Sequence, residues 1–445
     1  MLLLFLISLF IWFKQLPALN FLPDSSDISS NQNQSSIFIS EIKIIGNEKT
    51  RPEIVLFEMK IKPKSYATIE EIEYDIDRIM GLGIFSDVNY KIDKNSDEYI
   101  LYIIVRESWY IFPLPFVDIE DRDWKKLSYG IFLLIKNLSG KNDRLSSGFS
   151  LGYDPSFYLS YSDLYYDFEK NLGFKFLLQS QKRKNKSIRA LRESNGENYH
   201  EDYFQLEFTL RKRVNLYTNI FGSLGYEYIH VPKYYPLRTL SSDGTDRLLT
   251  FQLSYSYDVR DFIAYPKKGY FLLASIKHYG LSKSLIDYTV LNLDLKKAYS
   301  ISPITFYLRN YLRTVIGSDI PYYANSFLGF GDRLRGRFDE IYESNALNLF
   351  SFEMRFPLID KYLLQFDLPI IPTSLTTYNI LVDFHLFYDS AFMWDINDRI
   401  TSRRLINGAG VGFTFFVLPY RGLNFEIGFS PERKPEFIVD LLNPL

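Results

Sequence analysis

The feature that most limits the fold of this chain is a period of two in its apolar residues after residue 107. Residues 249–258 read LTFQLSYSYD, and the same alternation recurs at residues 205–211 and 351–356. Successive side chains of a β-strand point to opposite sides, so these segments are predicted to be strands with one polar face. In a bilayer every backbone polar group must be paired, so such strands cross it only as a closed barrel.

The aromatic content favours a membrane barrel over the alternative, a large soluble antiparallel protein. The chain contains 35 Tyr and 38 Phe among 445 residues. Membrane barrels use these residue types in girdles at both membrane interfaces. We therefore predict an all-β membrane barrel of about sixteen antiparallel strands over residues 109–445, preceded by one small α+β domain.

Charge and cysteine content exclude several functions. The net charge is -2, with 51 basic and 53 acidic residues, so no nucleic-acid partner is expected. The absence of cysteine excludes disulfides, thiolate zinc sites and cysteine nucleophiles. A Gly-x-Ser-x-Gly pattern at residues 148–152 is not followed by a predicted helix, so we expect no enzyme. The four histidines have no His-x-x-x-His spacing and the chain has no Gly-x-x-x-x-Gly-Lys loop, so we expect no metal and no cofactor. An outer-membrane lipase is the alternative from another class.

The amino terminus is predicted to be a targeting segment and a tether. Residues 1–20 begin with an apolar run too short to span a bilayer, which is typical of a signal peptide whose cleavage site is uncertain. Residues 21–36 are mostly polar and are expected to form a flexible linker.

Residues 37–108 are predicted to fold as a β-α-α-β-β domain. Thr50 and Thr68 each stand three residues before a glutamate, which predicts two capping boxes and two helices. The first helix is expected to run to about Lys60. The domain resembles a polypeptide-transport-associated (POTRA) domain at a small set of positions: Gly46, Asn47, Gly81, Phe85 and Val88.

Beyond the linker the chain resembles the BamA/TamA superfamily of outer-membrane assembly and translocation proteins. An Asn-Leu-x-Gly turn occurs at residues 137–140, and a second turn motif follows with four matching residues: Arg260, Asp261, Pro266 and Gly269. The resemblance implies a sixteen-stranded barrel in the bacterial outer membrane, with these turns and the POTRA domain in the periplasm.

The most specific motif is FLGFGDRLRGRF at residues 327–338. It resembles the family motif of the sixth extracellular loop, which folds back into the barrel, at Gly329, Leu334, Arg335 and Gly336. Phe330 replaces a second glycine and Arg337 replaces an aromatic residue. We expect Gly331 to restore the backbone freedom that Phe330 removes.

A guanidinium inside a barrel needs a carboxylate partner. The resemblance places that partner on strand thirteen, where Asp389 matches the family position. Alternation puts Asp389 on the lumen face, together with Asp383 and His385. Glu353 and Arg355 match a further family pattern and are also expected to face the lumen.

The resemblance implies insertion of barrel proteins into the outer membrane or translocation of polypeptides, without ATP. The expected partners are outer-membrane lipid, unfolded outer-membrane or secreted client polypeptides, and periplasmic chaperones or accessory subunits. A two-partner-secretion transporter of one dedicated protein and a passive pore are the alternatives. We expect the POTRA strand edge and a weak seam between the first and last barrel strands to pair with the client.

Overall fold

The fold was analysed in a computed structural model that describes residues 36–95, 98–119, 127–281, 285–366, 369, 376–395, 404–418, 421–431 and 433–442. The predicted signal peptide and the predicted linker, except its last residue, lie outside the described residues. Every helix in the described part of the chain is too short or too polar to cross a membrane.

The amino-terminal domain has a four-stranded sheet covered by two helices. Its elements are, in chain order, β1 (Ile37–Ile45), α1 (Pro52–Glu58), β2 (Ser65–Ala67), α2 (Ile69–Met80), β3 (Phe85–Asn95) and β4 (Glu98–Glu107). The strands lie in the order β2-β1-β4-β3, with β1 parallel to β4 and the other pairs antiparallel. The predicted order was correct except that it lacked the short strand β2.

Only one of the two predicted capping boxes forms. Thr68 accepts a hydrogen bond from the Glu71 N–H, and the Glu71 carboxylate accepts one from the Thr68 N–H. The box at Thr50 was wrong: Arg51 precedes α1, and no side chain caps that helix. The Thr50 N–H donates to Glu107 at 2.6 Å instead. Helix α1 ends at Glu58, two residues before the predicted end.

The residues that resemble a POTRA domain have structural roles in this domain. Gly46 has φ +90°, and a Cβ there would lie 2.0 Å from the Val105 carbonyl oxygen. The Asn47 side-chain amide donates to the Thr50 carbonyl, and Gly81 ends α2. Phe85 and Val88 are buried in the core. These positions therefore fix the ends of the elements and the packing between them.

The remaining strands are β5 (Ile111–Ile119), β6 (Leu127–Lys136), β7 (Arg144–Gly152), β8 (Ser156–Asp167), β9 (Leu172–Lys184), β10 (His200–Arg213), β11 (Thr218–His230), β12 (Thr245–Asp258), β13 (Gly269–Gly280), β14 (Asp287–Ile301), β15 (Ile304–Gly317), β16 (Ser326–Leu328), β17 (Tyr342–Ser344), β18 (Ala346–Gln365), β19 (Thr377–Trp394), β20 (Arg404–Leu418), β21 (Arg421–Phe429) and β22 (Glu436–Leu442). All belong to one sixteen-stranded antiparallel sheet except β16 and β17, which pair with each other. The predicted count of sixteen is confirmed. A short helix, α3 (Ile188–Glu193), lies between β9 and β10 and was not predicted.

The sheet forms a barrel with an apolar exterior and a polar interior. In β12, Leu249, Phe251 and Leu253 are exposed on the outside, while Thr250 and Ser254 are buried inside. The sheet lies against the amino-terminal domain. Lys136 of β6 donates to the Gly83 carbonyl of that domain, and Asn379 of β19 donates to the Ser86 carbonyl. Polar residues inside and apolar residues outside are the pattern of a membrane barrel.

The first and last strands of the sheet, β5 and β22, form a seam. Among the described residues, no hydrogen-bonded ladder joins these two strands. Strand β22 contains seven residues, whereas the other strands of the sheet contain nine to twenty. Within the described part of the chain, the sheet therefore ends at β5 on one side and at β22 on the other.

Candidate functional site: a loop anchored in the barrel lumen

The candidate site is built by the sixth loop, which we define as residues 318–345 between β15 and β18. The loop contains a short 3-10 turn (Tyr322–Ala324) and the β16–β17 hairpin. Leu328 and Leu334 pack with Leu347, Leu349 and Ile406 of the barrel wall in one buried cluster. The loop therefore folds into the lumen.

Arg335 anchors the sixth loop to three carboxylates. Its Nε and Nη2 donate to the two oxygens of Asp389, each at 2.7 Å, and its backbone N–H donates to the same group at 3.2 Å. Its Nη1 donates to Glu353 at 2.8 Å and to Glu426 at 3.0 Å. The three carboxylates stand on β19, β18 and β21, so one side chain ties the loop to three barrel strands. A bidentate pair of this kind fixes direction as well as distance.

The Arg335 guanidinium also lies over an aromatic ring, that of Phe387. The Phe387 ring centre lies 4.0 Å from the guanidinium carbon, a cation–π distance. The Nε2 of His385 lies 2.8 Å from Glu426, and its Nδ1 lies 3.2 Å from the Thr414 hydroxyl. The Glu426 carboxylate beside Arg335 is thus held by His385 as well.

Arg355 provides a second positive charge beside this cluster. Its guanidinium is 2.7 Å from Glu353, which it shares with Arg335. It also lies between two aromatic rings, 4.0 Å from that of Tyr265 and 4.2 Å from that of Tyr307. Two arginines therefore lie among the three carboxylates.

Glycines let the tip of the loop approach the wall closely. Gly336 has φ +90°, and a Cβ there would lie 2.7 Å from the Phe429 carbonyl oxygen. A Cβ at Gly408 would lie 2.0 Å from the carbonyl oxygen of Arg335. Glycine is therefore required on both sides of this contact.

The predicted glycine and leucine positions of the motif differ in their roles in the sixth loop. Gly329 adopts φ +114°, and Leu334 is buried. Gly331 was expected to supply left-handed backbone freedom, but its φ lies outside that region and open space surrounds it. Gly331 therefore does not replace the glycine that the family has at residue 330. Instead, Phe330 packs edge-to-face on Phe327.

Arg337, which departs from the family motif, points toward the last strand hairpin. It donates to Glu340 and to the Pro431 carbonyl, both at 3.2 Å. The next backbone N–H, that of Phe338, donates to Glu436 of β22 at 2.9 Å. The sixth loop therefore contacts the wall up to the first residue of β22.

Sequence reasoning missed Glu426. It lies between the exposed residues Phe425 and Ile427 on β21, and it is buried on the lumen side. A charged residue on the inner face of an alternating strand was the signal that could have identified it. His385 was placed on the lumen face, but its contact with Glu426 was not foreseen.

The predicted turn motifs face the amino-terminal domain. The Asn137 amide donates to the Thr50 hydroxyl at 2.8 Å, and the Gly140 carbonyl accepts from the Arg51 N–H. In the second turn, Arg260 forms a bidentate pair with Asp258. The Tyr74 hydroxyl of the amino-terminal domain donates to the Val259 carbonyl in the second turn at 3.3 Å, so both turns form part of the contact between the two domains.

Asp261 and Gly269 shape the second turn. The Asp261 carboxylate accepts three backbone N–H groups within the turn, from Phe262, Lys267 and Lys268. Gly269 has φ +101°, and a Cβ there would lie 2.3 Å from the Val259 carbonyl oxygen. Pro266 lies between these residues. The motif therefore determines the turn geometry.

A second buried ion cluster joins the amino-terminal domain to the barrel. Glu58, the last residue of α1, accepts two hydrogen bonds from Arg213, at 2.8 and 3.1 Å, and one from Arg78 at 2.8 Å. The Tyr165 hydroxyl donates to it at 2.8 Å. Burial raises the pKa of Glu58, but the two arginines outweigh this effect and hold the pKa below its usual value. Arg213 and Tyr165 belong to barrel strands, so Glu58 fixes the domain against the barrel.

Two family models match the chain. An Omp85 superfamily domain model matches residues 137–430, and a POTRA model, described as a surface antigen variable number repeat, matches residues 37–108. No curated protein matches the chain.

Solved structures with a similar fold include BamA from Haemophilus ducreyi lacking POTRA domains 1–3, at 17% identity and a TM-score of 0.51, covering 91% of this chain and 84% of that one. They also include CdiB from Escherichia coli, at 10% identity and a TM-score of 0.52, covering 96% of this chain and 93% of that one. The family model extends over more than half of the chain. This chain therefore belongs to the Omp85 superfamily.

Proposed function

We propose that this protein lies in the bacterial outer membrane with its POTRA domain in the periplasm, and that it inserts client barrel proteins into that membrane or passes a polypeptide across it. Omp85 membership together with a POTRA domain supports this location and this class of function. Members of the superfamily are transporters and assembly factors rather than enzymes. BamA and CdiB, which share the fold, belong to these two classes.

The observation that carries the proposal is the free seam beside an anchored loop. No hydrogen-bonded ladder joins β5 and β22 among the described residues, and Phe338 of the sixth loop contacts Glu436 at the start of β22. An unpaired strand edge presents backbone donors and acceptors to an extended chain. The seam therefore offers a place where a client strand can pair with the barrel.

The POTRA domain offers a second edge. Strand β3 is an edge strand of the POTRA sheet, where its sheet neighbour is β4. An extended client can add to β3 before it reaches the barrel. In this proposal Arg335 holds the sixth loop against the wall, and client folding and burial supply the free energy.

The test is depletion of the protein from its source cells, followed by quantitative proteomics of outer-membrane and secreted fractions. Loss of many barrel proteins supports insertion, and loss of one secreted product supports a dedicated transporter. Unchanged levels of both fractions would contradict the proposal.

Complementation connects this result to the candidate site. Arg335→Ala is expected to fail to restore the lost proteins, because it removes the loop anchor. Arg247→Ala is the matched control, since Arg247 forms an exposed pair with Asp243 outside the lumen cluster. Full rescue by Arg335→Ala would remove the anchored loop from the mechanism.

A further inference from the structure

A cavity of about 250 Å³ lies in the barrel lumen between the sixth loop and the third loop, which we define as residues 185–199 between β9 and β10. Residues of β9, β10, β15 and β18 complete its lining. Phe168, in the turn before β9, packs edge-to-face on Phe57 of the POTRA domain, whereas the cavity lies beside the last residues of β9. The cavity is therefore at the end of the barrel opposite the POTRA domain. Cavities of about 150 Å³ bind benzene, so this one has room for a small organic molecule.

The charges that line the cavity are mostly positive. Among the described residues, the lining has four cations and two anions, a net charge of +2: Arg183, Lys184, Lys186, Arg313, Glu201 and Asp332. Both carboxylates already have a cation. Glu201 pairs with Arg183 at 2.9 Å, and Asp332 pairs with Arg309, which lies outside the lining, at 3.1 Å. The cavity therefore carries more positive charge than its own carboxylates offset.

Two of the lining cations have only neutral partners. The Nη1 of Arg313 donates to the Ser326 hydroxyl at 3.3 Å, and its Nη2 donates to the Ala324 carbonyl at 3.1 Å. The Lys186 ammonium lies 5.0 Å from the centre of the Phe330 ring. Within the part of the chain that the structure describes, no carboxylate forms an ion pair with either cation. Guanidinium and ammonium groups in this state are strong donors for an anion.

The walls of the cavity are held by contacts between the two loops. Glu343 of the sixth loop accepts a hydrogen bond from the Ser187 hydroxyl at 2.7 Å and another from the Arg189 N–H at 3.0 Å, both in the third loop. On the strand side, the Nε of Arg183 donates to Glu201 at 2.9 Å. A site whose groups are fixed before binding loses less entropy when a ligand arrives.

An aromatic surface lies beside the cations. Phe330 stands where the family motif has a second glycine, and it packs edge-to-face on Phe327 with 6.0 Å between the ring centres. Both rings line the cavity, and a glycine at residue 330 would remove this part of the wall. The departure from the family motif therefore supplies an apolar contact next to the Lys186 ammonium.

The barrel wall separates this cavity from lipid. From β9 to β15 and on to β18, each strand pairs with the next in a ladder without a register shift. A ligand therefore reaches the cavity along the lumen and not through the wall. This route favours a soluble molecule over a lipid head group.

We propose that this cavity binds a soluble phosphate monoester with a small apolar ring, and that the bound ligand holds the third and sixth loops together. A phosphate monoester carries about two negative charges at neutral pH, which matches the net charge of the lining. Its oxygens accept from Lys186 and Arg313, and its ring lies against Phe330. The inference concerns a small ligand and does not rest on the proposed handling of polypeptides.

The first experiment is a calorimetric titration of the full chain in phosphatidylcholine nanodiscs with phenyl phosphate. We expect one site per chain. Lys186→Gln and Arg313→Gln should each weaken binding about tenfold or more, because each removes a charged donor. Lys233→Gln is the matched control, since Lys233 is exposed and pairs with Glu197, and it should bind as the unaltered chain does. Absence of saturable binding, or equal affinity in Lys186→Gln and the unaltered chain, would overturn the site.

The second experiment identifies the ligand class by comparing probes. Phenyl phosphate is expected to bind about tenfold more tightly than inorganic phosphate, because its ring is buried, and Phe330→Gly should remove this preference. Equal affinity for the two in the unaltered chain would overturn the ring contact. Benzoate binding as tightly as phenyl phosphate would overturn the phosphate assignment. Displacement of phenyl phosphate by lipid A in the nanodiscs would overturn the soluble source in favour of a head group.

The third experiment tests the effect on the loops. With phenyl phosphate at ten times its dissociation constant, proteolysis within residues 318–345 should slow about tenfold, because only the unliganded chain opens. At the same concentration, Lys186→Gln should show much less protection than the unaltered chain and Lys233→Gln. Unchanged proteolysis despite saturable binding would overturn the link between the loops and leave the binding site standing.

Discussion

Two buried ion clusters attach the sixth loop and the POTRA domain to the barrel, and they have opposite compositions. In the lumen, one cation of the sixth loop, Arg335, is surrounded by three carboxylates of the wall. Between the domains, one anion of the POTRA domain, Glu58, is held by two arginines and a tyrosine hydroxyl. Each cluster is therefore organised around a single central ion.

The difference between them lies in what surrounds the central ion. The carboxylates around Arg335 stand on hydrogen-bonded strands, so they cannot move apart when it is removed. Arg213 stands at the end of β10, beside a turn, and Arg78 stands on α2 of the POTRA domain itself. The interface cluster can therefore separate when the POTRA domain moves away from the barrel. In the lumen cluster only the sixth loop can move away, because the carboxylates are fixed on the barrel wall.

The largest expected effect is that of Arg335→Ala. Removing the cation leaves Asp389, Glu353 and Glu426 close together without their shared partner. Breaking a buried ion pair costs about 3–5 kcal/mol. We expect the sixth loop to leave the wall while the strand ladders remain. Protease sensitivity of residues 318–345 in the full chain measures this, and circular dichroism checks the barrel.

The control for this prediction is Asp389→Asn, which keeps the shape and removes one of three charges. Arg335 retains Glu353 and Glu426 in that variant, so loop release should be smaller. The double variant should be little worse than Arg335→Ala, because both changes remove one interaction. Strictly additive effects would contradict the coupling.

The second effect is that of Glu58→Gln, which leaves two arginines without their carboxylate. The expected cost is about 3–5 kcal/mol, most of it in the attachment of the POTRA domain to the barrel. Spin labels at Lys91→Cys and Tyr299→Cys report the distance between domain and barrel. We expect a single narrow distance distribution in the unaltered chain and a broad one in Glu58→Gln.

Glu41→Gln is the matched control, since Glu41 pairs with Lys43 on the exposed face of β1. An exposed pair contributes about 0–1 kcal/mol, so this variant should keep the narrow distribution. A narrow distribution in Glu58→Gln as well would show that apolar packing alone holds the domain.

These clusters also show how much the sequence could predict. The strand pattern predicted the barrel, and the family motif predicted that Arg335 would lie near Asp389, which the structure places in contact. Alternation along a strand also indicated that Glu353 faces inward. All of these inferences use local periodicity or a motif, which a single sequence contains.

The missed contacts join residues that are far apart in the sequence. Glu426 reaches Arg335 from 91 residues away, and Glu58 reaches Arg213 from 155 residues away. Neither pairing follows from local spacing, because the curvature of the sheet and the docking of the domain bring the partners together. The same explanation applies to Thr50, whose N–H bonds to Glu107 of β4 instead of forming a local cap.

The third effect is a pH dependence of the domain contact. Because the pKa of Glu58 is lowered in the docked state, its carboxylate stabilises docking above the usual glutamate value, about 4.3. This contribution is lost as the pH falls through the lowered value. The distance distribution between the labels should broaden on acidification below about pH 4. Glu58→Gln should already be broad at neutral pH and should lack this transition.

The smallest effect is expected from Tyr165→Phe, which removes one of the hydrogen bonds to Glu58 and retains the ring. The ring packs edge-to-face on Phe57, so its apolar contact with the domain remains. A hydrogen bond to a charged group contributes about 1.5–3 kcal/mol, less than loss of the carboxylate. Because the remaining arginines hold Glu58 less firmly without this donor, the acid transition should move to higher pH. An unshifted transition would show that the arginines alone determine the charge of Glu58.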